Sequence, residues 1–129
     1  MYELIVRNRF AAAHALRDYD GPCARLHGHT WQVEVTVKGR KLDRRGMLVD
    51  FKEIKKGVKE IIEELDHQNL NDLEPFQKGE EGNPTAENLA RYIYERLKSA
   101  IVIPERDVQI ALVRVWESPD ASAAYLEVD

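Results

Sequence analysis

The chain has 129 residues, 43% hydrophobic and 33% charged, which fits one globular domain able to bury a core without staples. Its 19 basic and 23 acidic residues leave a net charge of −4, which argues against broad binding to nucleic acid or an anionic membrane. A single cysteine excludes an internal disulfide, and with no apolar run of membrane-span or signal-peptide length the sequence predicts a cytoplasmic protein.

Residues 2–10 read as a strand in which Leu4 and Val6 alternate with charged positions. Residues 31–38 alternate more cleanly, with Trp31, Val33, Val35 and Val37 on one face and Gln32, Glu34 and Thr36 on the other. A helix follows over about 51–65. Asp50 and Glu53 resemble a capping box, and Phe51, Ile54, Val58, Ile61, Ile62 and Leu65 form one apolar stripe. The stretch 71–83 is a loop rich in Gly, Asn and Glu. A second helix begins near Pro84, with Ala86, Leu89, Ile93 and Leu97 as its stripe, and Pro104 ends the apolar tail behind it. Strands near 108–117 and 122–128 close the chain. This order predicts an α+β fold, a four-stranded antiparallel sheet with two helices on one face. The face left bare, whether that of Trp31, Val33 and Val35 or its opposite, favours an oligomer that covers it.

Three of the four histidines lie near the front of the chain: His14, His27 and His29. His27 and His29 are two apart at the start of a strand, so they leave the same face, and Gly28 between them adds no bulk. A hairpin-like return would bring His14 beside them. Three imidazoles around one point are the ligand set of a catalytic zinc with one open position, against the plainer alternative of three unrelated histidines. Cys23, in CARLHGH, is open to three readings: a fourth zinc ligand, a small buried hydrophobe or a reactive thiol beside Arg25. Asp66 and His67 suggest an oriented acid–base pair, provided the helix has ended by His67, because neighbours on a helix do not face each other. The alternative is a histidine favouring the helix C-terminal dipole. Glu117 ends a strand at a rim. A carboxylate there can accept two parallel N–H bonds from the amino-pyrimidinone edge of a pterin or guanine, or be an ordinary surface glutamate. Thr85 and Glu87 read as first-turn helix residues, and the basic run 38–45 as a solvated turn.

Taken together, FAAAH (10–14), CARLHGHTW (23–31), GMLVDF (46–51), LDHQNLND (65–72), NPTAEN (83–88) and VRVWES (113–118) resemble the family of 6-pyruvoyl- and 6-carboxy-tetrahydropterin synthases. The resemblance implies the tunnelling fold, assembled as trimers that close a barrel and stack into hexamers, with active sites between subunits. It implies a zinc ion on His14, His27 and His29, with Cys23 as catalytic thiol and Asp66 and His67 as its acid–base pair. Glu117 would anchor the pterin ring, with Thr85 and Glu87 as supporting positions. Three residues separate Cys23 from HGH, a spacing similar to that of the carboxy branch. The implied reaction converts 7,8-dihydroneopterin triphosphate to 6-carboxy-tetrahydropterin, with loss of acetaldehyde and triphosphate. The rival readings are the pyruvoyl-forming reaction and a non-catalytic zinc-stabilised oligomer. The loop 76–82 is longer than the family pattern, and Ser118 stands where threonine is frequent.

Overall fold

The first two strands run further than their alternating apolar residues predicted. In the computed structural model, which describes residues 1–77, 82–101 and 107–128, β1 spans Tyr2–His14 and β2 spans His27–Gly39. Ala11, Ala12 and Ala13 gave no alternation to read, yet they pair in register with Thr30, His29 and Gly28. Helix α1 follows at Phe51–Leu65, then β3 at Gln68–Asn69, α2 at Ala86–Ile101, β4 at Gln109–Ser118 and β5 at Ala121–Tyr125. The sheet order is β3-β1-β2-β4-β5. It has five strands where the sequence predicted four. The fifth is β3, two residues long and parallel to β1, too short to leave a periodic signature.

Both helices lie on one side of the sheet. Ile54, Val58, Ile61 and Leu65 of α1 and Leu89, Ile93 and Leu97 of α2 are buried against Val6, Phe10, Trp31, Val33, Val35 and Val113. Full burial of one such aliphatic side chain is worth about 1.5–3 kcal/mol, so this layer is what fixes the sheet register. Phe51 departs from its predicted stripe and stays 47% exposed, because the buried stripe starts a turn later at Ile54. Asp50 caps α1 by accepting from the Lys52 backbone N–H at 2.9 Å. The second helix begins at Ala86 and not at Pro84. Thr85 takes the cap, its hydroxyl accepting from the Asn88 N–H at 3.1 Å, and Pro84 precedes it. Pro104 lies outside the described residues, as does the middle of the 76–82 loop.

The structure decides between the two sheet faces. Trp31, Val33 and Val35 are fully buried under the helices. The opposite face is polar at its centre, where Arg7 pairs with Glu34 at 3.0 Å and the Trp116 indole N–H donates to the same carboxylate at 3.2 Å. What remains unpaired is backbone. β3 covers β1 only at Ala12 and Ala13, so the outer edge of β1 from Tyr2 to Arg9 has no partner strand among the described residues. β5 ends the sheet on the other side. No helix among the described residues is long and apolar enough to cross a membrane.

Candidate metal centre

Strand register brings the histidines together. His14 and His27 are directly paired across β1 and β2, and His29 pairs with Ala12, two positions further along the same face. Side chains two apart on a strand share a face, so all three imidazoles stand on the helix side, beside Trp31. The rings meet edge to face, with centroids 4.6 Å apart for His14–His27, 5.2 Å for His14–His29 and 4.8 Å for His27–His29.

The hydrogen bonds fix what each ring can do. His14 Nδ1 lies 2.7 Å from the Pro84 carbonyl and His27 Nδ1 lies 2.7 Å from the Arg25 carbonyl. A carbonyl only accepts, so both Nδ1 atoms carry the hydrogen and, in the neutral rings, both Nε2 atoms present lone pairs. Those two Nε2 atoms are 3.0 Å apart. Two lone pairs facing each other at that distance repel unless a cation lies between them. The third ring agrees. His29 Nε2 is buried without a hydrogen bond among the described residues, with Glu117 Oε1 3.1 Å away. The ligand atoms of His14, His27, His29 and Glu117 all lie within 4.8 Å of one another, and the group can hold a metal ion. Burial is the largest influence on the basicity of His14 and His29 and lowers both. Neutral imidazole is the form that binds metal.

Cys23 is half-buried in a short helical turn, Pro22–Ala24, and is not one of the four clustered ligands. Asp66 and His67 do meet. α1 stops at Leu65, Asp66 is extended at φ −67° and ψ 134°, and His67 turns left-handed at φ 59°. That break removes the helical obstacle and puts His67 Nδ1 2.8 Å from Asp66 Oδ2. Asp66 Oδ1 accepts from the Ala11 N–H at 2.9 Å, so the carboxylate is pinned to the edge of β1. That N–H first, and His67 second, hold the Asp66 carboxyl below its usual range. A left-handed non-glycine residue costs on the order of 1 kcal/mol and is characteristic of functional positions. The His67 side chain is 81% exposed. It shares an open hollow of about 560 Å³ with His29, Gly28, Thr30, Ala11 and Ala13. Thr85 caps α2 and Glu87 lies exposed on its first turn. The Pro84 and Arg25 carbonyls, which orient two of the rings, were invisible in the sequence because every residue carries that group.

An α+β domain with an open-edged sheet, three imidazoles at the end of its first two strands and a carboxylate beside them near the end of β4 defines a class: a small T-fold protein with a cluster able to hold a metal ion. The chain belongs to the 6-pyruvoyl tetrahydropterin synthase family, whose profile matches residues 3–128. It is 30% identical to the 6-carboxy-5,6,7,8-tetrahydropterin synthase of Haemophilus influenzae over 98% of this chain and 100% of that one. It is 36% identical to the enzyme of the same name from Bacillus subtilis, over 96% and 84%. A dihydroneopterin monophosphate aldolase of Pyrococcus furiosus is 37% identical over 88% of each chain. Among solved structures, the 6-pyruvoyl tetrahydropterin synthase of Caenorhabditis elegans superposes with a TM-score of 0.84 at 27% identity, over 98% of this chain and 96% of that one.

Proposed function

We propose that this chain, acting as one domain, is a zinc-dependent lyase of the cytoplasm. It converts 7,8-dihydroneopterin triphosphate to 6-carboxy-5,6,7,8-tetrahydropterin, consuming a water and releasing acetaldehyde and triphosphate. The observation that carries this reading is the convergence of four ligand atoms within 4.8 Å, two of them imidazole nitrogens whose rings are oriented by backbone carbonyls. Imidazole-dominated sites suit zinc, whereas magnesium and calcium take oxygen ligands. Bound at His14, His27 and His29, the metal supplies Lewis acidity to the hydroxyl-bearing side chain of the pterin.

The chain's own residues do the rest. Cys23, as thiolate, takes a proton from the substrate side chain. His67, oriented through Nδ1 by Asp66, returns one through its Nε2. Glu117 accepts the paired N–H donors of the amino-pyrimidinone ring, holding the reacting carbons in register. Thr85 and Glu87 support the ring's surroundings. The exposed His67 and the unpaired strand edges support an assembly in which a neighbouring chain completes each site, as a trimer doubled to a hexamer.

The 37% identity to the monophosphate aldolase favours a second reading, in which the substrate carries one phosphate. The test is incubation of the zinc-loaded protein with the triphosphate and, separately, the monophosphate, with products identified by mass. Formation of 6-carboxy-tetrahydropterin and acetaldehyde from the triphosphate supports the first reading. A 6-pyruvoyl product, or turnover of the monophosphate alone, overturns it.

A further inference from the structure

The segment that follows β1 is held in an unusual way. Residues 15–17 begin the link from His14, at the end of β1, to the turn that carries Cys23, and no strand among the described residues pairs with them. Two asparagine side chains take the place of one. The Asn71 carboxamide accepts from the Ala15 N–H at 2.8 Å and donates to the Ala15 carbonyl at 2.9 Å. The Asn83 carboxamide does the same to Arg17, at 3.0 Å and 3.2 Å. A carboxamide copies the donor–acceptor pair of a peptide group, so each asparagine acts as one rung of a ladder. Between them, the Leu16 N–H donates to the Cys23 carbonyl at 3.0 Å.

Both carboxamides arrive from parts of the chain already tied to the site. Asn71 sits four residues after His67 in the turn Leu70–Asp72, and its own N–H is held by the Asn69 side chain at 3.1 Å. Asn83 precedes Pro84, whose carbonyl orients His14 at 2.7 Å, and the Asn83 carbonyl in turn accepts from the Asn88 side chain at 2.8 Å. The thiol segment is therefore clamped to the acid–base loop on one side and to the start of α2 on the other.

We propose that Asn71 and Asn83 are positioning residues that set the Cys23 thiol relative to the imidazole cluster. The proposal rests on the reading of Cys23 as the proton-abstracting base. Neither asparagine touches the reacting atoms. Their effect runs through the backbone of residues 15–17 and the Leu16–Cys23 bond. Proton abstraction is sensitive to displacements well under an ångström, whereas ring binding at Glu117 and metal binding at the histidines draw on other elements.

The test compares Asn71→Ala and Asn83→Ala with Asn71→Asp and Asn83→Asp in the assembled, zinc-loaded protein. Aspartate keeps the acceptor towards the N–H and loses the donor towards the carbonyl. The alanine variants are expected to lower kcat by about tenfold or more with KM within about twofold and zinc per chain unchanged. Each aspartate variant should recover part of that loss, and alkylation of Cys23 by iodoacetamide in the native protein should quicken at least about threefold in the alanine variants. Unchanged kcat and unchanged alkylation in folded, zinc-loaded variants would overturn the proposal, as would loss of zinc in step with kcat. Should an alanine variant not fold, its aspartate counterpart decides by the same two readouts. The alkylation comparison needs no pterin turnover, so failure of the functional reading and failure of the clamp are told apart.

Discussion

His14 is 1% exposed, yet both of its ring nitrogens are engaged from different parts of the chain, Nδ1 by Pro84 and Nε2 by His27. A buried imidazole with a single carbonyl partner would be an ordinary core histidine. A buried imidazole whose second nitrogen faces another lone pair is placed as a metal ligand would be. Glu117 has two possible tasks, because its Oε1 approaches His29 while its side chain stays one-third exposed. If its work is to hold the pterin, Glu117→Gln should leave zinc near one per chain. Glutamine cannot accept both ring N–H groups with a charged carboxylate, so affinity for a reduced pterin should fall by at least about tenfold, measured by calorimetry. Loss of zinc from that variant would instead make Glu117 a necessary ligand.

At the scale of the elements, the sheet and both helices were legible because their side chains repeat. The period-two face of Trp31, Val33, Val35 and Val37 and the stripe from Ile54 to Leu65 are each written in residue identity, and each is buried. Alternation does not say which face the helices cover, and Arg7, Glu34 and Trp116, which mark the bare one, lie on separate strands. β3 and the N-cap at Thr85 depend on where α1 breaks and where a hydroxyl finds an N–H, which periodicity does not encode. The histidine trio was legible from the HxH spacing, whereas the meeting of Asp66 and His67 required the left-handed turn at His67. The two helices are also joined at the surface. Arg96 donates to both oxygens of Glu64, at 2.6 Å and 2.9 Å, and Glu64 also accepts from the Tyr92 hydroxyl. The Arg96 bond, first among its causes, holds the Glu64 carboxyl below its usual 4.5. A depressed carboxyl stabilises the fold above its unfolded value, and that contribution disappears as the pH falls through its folded one. Glu64→Gln should therefore cost about 0.5–1 kcal/mol at pH 7, with the gap to wild type closing below about pH 4.5 in urea titrations. A gap that is constant from pH 7 to pH 3 would contradict the pairing.

At the scale of the whole molecule, the proposed assembly has one chain supply only part of each working site. His67 stands 81% exposed beside a hollow that opens to solvent, and the outer edge of β1 and the end strand β5 offer unpaired backbone. Joining those edges between copies pairs them and shelters the hollow, which is how edge strands are normally managed. If Cys23 and His67 of one working site come from different chains, inactive Cys23→Ala and inactive His67→Ala proteins, dissociated and reassembled together, should regain partial turnover. No recovery in mixed assemblies of confirmed composition would mean that each site is built within one chain.

In the proposed reaction the imidazole cluster is an open catalytic metal site served by a base outside its ligand set. Zinc content and turnover of Cys23→Ala, taken from the same preparation, test this most directly. Zinc is expected near one per chain, as in the wild type, with turnover of dihydroneopterin triphosphate abolished. Zinc lost in parallel with turnover would make Cys23 a ligand, and undiminished turnover would remove it from the chemistry; either result would overturn the proposal.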